Sequence, residues 1–83
     1  MPTVATVEGV KIQVYANEHP PPHFHLRIAE HQAVMDIETL KVTEGSIPLA
    51  KKRKVVKWAK SRQAELRRAF EQAISLEAVE PIQ

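Results

Sequence analysis

Three histidines hold most of the chemistry this sequence can offer, and they crowd into one stretch. The run Asn17-Glu18-His19-Pro20-Pro21-Pro22-His23-Phe24-His25 contains three of the chain's four histidines and three of its six prolines. His23 and His25 stand at i and i+2, and His23 to Ile28 alternates strictly. On a strand this puts His23, His25 and Arg27 on one face and Phe24, Leu26 and Ile28 on the other. Two imidazoles on one strand face is a spacing that metal sites use. His19 is expected to fold back across the proline loop, making His19, His23 and His25 the candidate set for a divalent metal such as zinc. Asp36 or Glu38 is the expected carboxylate beside them. The same neighbourhood suits proton transfer to a phosphodiester, with His23, His25 and Tyr15 as candidate catalytic groups. In the third reading the rings only fix loop and strand by hydrogen bonds to backbone carbonyls. All three stay open.

These side chains need a scaffold. Prolines fix φ and remove backbone donors, so Pro20-Pro21-Pro22 reads as a stiff extended connector into the strand. Upstream, Thr3–Val7 is β-prone, Glu8-Gly9 signals a turn, and Val10 to Ala16 alternates, so a hairpin is expected. After the strand from His23 to Ala29, Glu30-His31-Gln32 reads as a turn. Ala33 to Glu38 reads as a fourth strand, with Ala33, Met35 and Ile37 inward. Thr39 to Gly45 reads as a loop, with room for a short edge strand around Leu40–Val42.

From Pro48 to about Ile74 there is no glycine and no further proline. The pattern predicts one long helix over roughly 48–74. At 100° per residue, Val55, Trp58, Ala59, Leu66, Ala69, Phe70 and Ala73 share one arc. Lys54 lies on the opposite arc with Arg53, Lys57, Lys60, Arg67 and Arg68; these last five are the candidate contacts for nucleic acid or an acidic partner. Arg62 falls inside the apolar arc. It is read as a structural charge, snorkelling or pairing with Asp36 or Glu38. The tail, residues 75–83, reads as irregular. The expected architecture is α+β: an antiparallel sheet of about four strands over roughly 3–42, then one long C-terminal helix packed on it, all in a single domain, 1–83.

Composition narrows the classes. The 83 residues approach the lower limit for an independent core. Cysteine is absent, which removes disulfide and thiolate chemistry and fits a cytoplasmic location. No apolar run reaches the roughly 18 residues of a membrane span, and the opening does not read as a signal peptide. Residues 1–50 carry three Lys/Arg against six Asp/Glu, net −3; residues 51–83 carry nine against four, net +5. The two halves can attract each other or different partners.

Several features together resemble one family. They are the opening Met-Pro-Thr-Val, the Glu8-Gly9 hairpin, the Asn17-Glu18-His19 and Pro-Pro-His23-Phe24-His25 block, and Trp58 with Glu65-Leu66. They resemble domain-of-unknown-function family 4160, over nearly the whole chain. The resemblance implies a small bacterial protein with His19, His23 and His25 as family-typical residues. It also implies a small protein partner of domain-of-unknown-function family 2442, in a toxin–antitoxin-like pair. The expected function is therefore an interaction module, bound to such a partner or to a second copy. The alternatives are an enzyme (a nuclease or metal-dependent hydrolase using the histidine-rich strand) and a nucleic-acid-binding module using the basic helix face.

Overall fold

Glu8 and Gly9 both take positive φ, 51° and 81°, and so close a two-residue hairpin of the kind that matches strand twist. It joins β1 (Thr3–Val7) to β2 (Val10–Gln13). In this computed structural model, which describes residues 3–82, three further strands follow: β3 (His23–Ile28), β4 (His31–Asp36) and β5 (Val42–Ser46). Met1 and Pro2 of the quoted opening, and Gln83 of the expected tail, lie outside the described residues. The five strands form one antiparallel sheet in sequence order. Two helices complete the chain, α1 (Leu49–Lys60) and α2 (Gln63–Ile74). Neither is long and apolar enough to cross a membrane.

The alternation places the faces as expected. Val10, Ile12, Phe24, Leu26, Ala33, Met35 and Ile37 are buried, together with Val55, Ala59, Leu66, Ala69, Phe70 and Ala73 from the helices. The opposite sheet face carries Lys11, Tyr15, His25 and Arg27, and no described helix covers it.

The sheet has five strands rather than about four, and it extends to Ser46 rather than ending near Val42. Thr-Glu-Gly-Ser shows no apolar alternation, and four of β5's five residues are exposed. This strand forms because β4 offers a free row of backbone donors and acceptors, not because it buries side chains. Gly45, at φ 70°, pairs with Ala33, and a Cβ there would run into the carbonyl of Gln32. The turn before β4 is also shorter than expected: Ala29-Glu30 alone makes it, and His31 and Gln32 are already in the strand.

The single long helix is the second correction. It breaks at Ser61-Arg62, without glycine or proline. Arg62 takes φ −131°, its N–H donates to Ala59 O at 2.9 Å, and its own carbonyl accepts from Leu66 N at 2.9 Å. One turn therefore closes tightly and a new helix starts on the next residue. An unbroken helix over 48–74 would run about 40 Å, yet the longest dimension of the molecule is 32 Å. Breaking it keeps both apolar stripes on the sheet. It also lets the Gln63 amide donate to the carbonyls of Ile37 (2.8 Å) and Glu38 (3.2 Å) just past β4.

Arg62 consequently sits at the break, half-buried, and borders a groove with Val7 and Glu8 at the β1–β2 turn. Its guanidinium donates to Trp58 O at 3.0 Å and lies over the Trp58 ring. The carboxylates expected for it are engaged elsewhere. Glu38 accepts from Arg67 at 2.7 Å, and Asp36 Oδ1 accepts from the N–H groups of Glu38 and Thr39 at the turn. The tail is irregular as expected, but it adds to the core: Ile82 is buried and its N–H donates to Val4 O at 2.7 Å, along β1.

Candidate metal centre

His25 lies in the middle of β3, opposite Gln13 of β2 and Val34 of β4. Its ring is therefore held over the uncovered face. Tyr15 meets it edge-on, with centroids 4.4 Å apart. The Tyr15 hydroxyl donates to Gln13 Oε1 at 2.9 Å, and Gln13 Nε2 donates to Thr3 Oγ1 at 3.2 Å. Gln13, only 8% exposed, is thus satisfied at both ends of its amide and steadies Tyr15.

His23 opens β3, where the proline connector delivers it. Its Nδ1–H donates to Pro21 O at 2.8 Å. Its ring stands 5.5 Å from that of His25 and 5.2 Å from that of Phe70 in α2. So His23 does not stand clear of the apolar core, as strict alternation implied. At the strand end it touches both the open face and the helix.

Glu18 reaches back from the loop to both rings. Its Oε1 accepts from His25 Nε2 at 2.5 Å, and its Oε2 lies 3.3 Å from His23 Nε2. One ligand atom from each of Glu18, His23 and His25 falls within 4.8 Å of the others. The Glu18 carboxyl is held below the usual range. Partial burial pushes it up, but the hydrogen bond and charge of His25, then those of His23, outweigh that.

The third member of the cluster is therefore Glu18, where His19 was expected. His19 is exposed, and its Nδ1 lies 3.1 Å from Pro20 O, hydrogen-bonded to its own neighbour. His19 nonetheless lines the same shallow groove as Glu18 and His23, beside the cluster rather than within it. Asp36 and Glu38, the other expected carboxylates, are held by the β4 turn and by Arg67. The sequence does hold a signal for Glu18: a carboxylate two residues before a stiff proline run that returns the chain to two histidines.

The cluster borders two shallow grooves on the open face. One is lined by Gln13, Tyr15, His25, Arg27, Gln32 and Glu44, among others, and the other by Glu18, His19, His23, Asp36 and Thr43, among others. Both include Val34 and Glu44, so they adjoin across β4 and β5.

The five basic candidates do not form one stripe. The helix break divides them. Arg53, Lys57 and Lys60 line a groove along α1, whereas Arg67 pairs with Glu38 and Arg68 with Glu80.

The family described as Domain of unknown function (DUF4160) matches residues 9–71, which include Glu18, His23 and His25 and stop before the tail. No curated relative and no solved structure matches the chain.

Proposed function

The chain belongs to that family of unknown function, and from this premise we propose that it is a metal-binding domain in which Glu18, His23 and His25 hold one divalent transition ion such as zinc. One observation supports this most. His23 Nδ1–H donates to the Pro21 carbonyl, so Nε2 is the ring atom that faces Glu18 Oε2, 3.3 Å away. A proton between the two gives the ion pair described above, and a divalent cation can take that proton's place. A backbone carbonyl on the far nitrogen is also how metal-binding histidines are oriented.

The donor set fits such an ion. Ligands about 2.0–2.1 Å from zinc stand roughly 3.3 Å apart in a tetrahedron. The His23–Glu18 separation already matches, and His25 has only to release its short bond to Glu18. Two imidazoles and one carboxylate would leave one position of such an ion open to a water or a substrate. An ion bound there supplies Lewis acidity. Hydrolysis, as by a nuclease or another metal-dependent hydrolase, is the reaction class this supports. Tyr15 and Gln13 then shape the wall beside His25.

Zinc titration of the full chain by calorimetry tests this. One ion per chain is expected for the wild type, with affinity weakened at least about tenfold in His23→Ala and in Glu18→Gln. Equal affinity in the variants, or none in the wild type at millimolar zinc, would remove the reading.

The β5 edge favours a second reading. Its residues Thr43–Ser46 are exposed, and no described strand pairs with its outer side. A free edge beside an uncovered face is where another chain adds. In this reading the protein is a cytoplasmic interaction module, one half of a toxin–antitoxin-like pair. It binds a small protein of domain-of-unknown-function family 2442, or a second copy. Sedimentation with copurification from the native host decides: a monomer without a captured partner counts against it.

A further inference from the structure

Helix α1 carries six cations, Lys51, Lys52, Arg53, Lys54, Lys57 and Lys60, and no carboxylate. Like charges three and four apart repel, so this composition works against the helix that bears it. Lys51 is used: its Nζ donates to Glu8 O at 2.9 Å. Among the described residues, no carboxylate pairs with Lys52, Arg53, Lys57 or Lys60.

Those four surround two apolar residues. Leu49 is 58% exposed and, with Val56, lines the groove they rim. Leu49 and Val56 are seven residues apart, two turns, and so lie one above the other about 10 Å apart on the same face. The fully buried residues of α1 are Val55 and Ala59, and Val56 and Trp58 pack partly against the core beside them. The groove thus offers exposed Leu49 and the outward part of half-buried Val56, fringed by four uncompensated positive charges.

We propose that this face of α1 binds an acidic amphipathic helix of a partner protein. An apolar stripe with i and i+7 anchors covers Leu49 and Val56, and Glu or Asp on its flanks meets Lys52, Arg53, Lys57 and Lys60. Charge complementarity decides the sign of the partner, and the apolar pair decides its class. A nucleic-acid backbone satisfies the cations but leaves Leu49 and Val56 uncovered. The groove also holds no aromatic ring to stack a base. The site is remote in kind from the Glu18 cluster and does not depend on metal binding.

Fluorescence anisotropy on the full chain tests the proposal. The probe is a synthetic helical peptide with leucines two turns apart on one stripe and glutamates flanking them. Its scrambled sequence, a single-stranded RNA and a duplex DNA serve as competitors. The patterned peptide should bind at least about tenfold tighter than the scrambled one. The double variant Arg53→Glu/Lys57→Glu should lose that binding, and so should Leu49→Ser, each retaining its circular dichroism. Leu49→Ser is the second arm should the charge reversals disturb the helix. Equal binding of patterned and scrambled peptides would overturn the proposal, as would unchanged binding by Leu49→Ser or preferential displacement by RNA or DNA.

Discussion

The side-chain amide of Gln63 donates to the carbonyl of Ile37 over 2.8 Å, joining the first residue of α2 to the chain just past β4. The same amide reaches Glu38 O at 3.2 Å. Removing it leaves a half-buried carbonyl short of its donor. Gln63→Ala is expected to cost about 1–2 kcal/mol in urea melts. Arg67→Ala, which removes only an exposed ion pair with Glu38, should cost under about 1 kcal/mol.

Gly45 marks where β5 closes against β4. Its positive φ and the Gln32 carbonyl beside it leave no room for a side chain. Gly45→Ala is expected to destabilise by about 2–4 kcal/mol. A change within about 0.5 kcal/mol in thermal or urea melts would mean that β5 does not hold this register.

The histidines and their neighbour separate site from core. Phe24 is fully buried, and Phe24→Ala should cost roughly 3–5 kcal/mol. His25→Ala should cost about 1 kcal/mol or less. His23→Ala should cost more than His25→Ala, because its ring packs on Phe70 and bonds to Pro21. Equal losses for the two histidines would show that the Phe70 contact contributes nothing.

Glu18 sets an acid dependence. Its carboxyl titrates lower in the folded chain than the usual value of about 4.5, which it regains on unfolding. A depressed folded value adds stability that is complete above the unfolded value and is lost as pH falls through the folded one. The wild type should therefore exceed Glu18→Gln in stability near about pH 6, with the gap closing as pH drops below about 4.5. A gap that stays constant across that window in melts at several pH values would contradict it.

Zinc adds a dependence of the opposite origin. Imidazoles bind metal only when neutral, so the rise in melting temperature on adding zinc should shrink as the solution is made more acidic. His23→Ala should show no rise at any pH. A rise in that variant equal to the wild type's would place the ion elsewhere.

Arg62 is expected to matter less than a buried charge would. Arg62→Ala should cost about 1–2 kcal/mol, through its bond to Trp58 O and its packing on that ring. A loss of about 4 kcal/mol would indicate a buried pair instead.

Local rules made much of this protein legible from its residues. The period of two in His23–Ile28 and Ala33–Ile37 set the buried face, because neighbours on a strand point to opposite sides whatever packs on them. Glu8-Gly9 marked a turn through its backbone preference alone, and the apolar arc of the helical segment named the residues that pack on the sheet. Three features needed the tertiary structure. Nothing local stops the helix at Ser61-Arg62; the break answers to the sheet's width and to the carbonyls of Ile37 and Glu38, far away in sequence. β5 exists through backbone pairing with β4, which side-chain patterning does not report. The cluster holds Glu18 rather than His19 because the His19 ring bonds to the Pro20 carbonyl beside it while Glu18 reaches both β3 rings. Ligand type was readable, but the direction of a loop side chain is set by the chain it folds against.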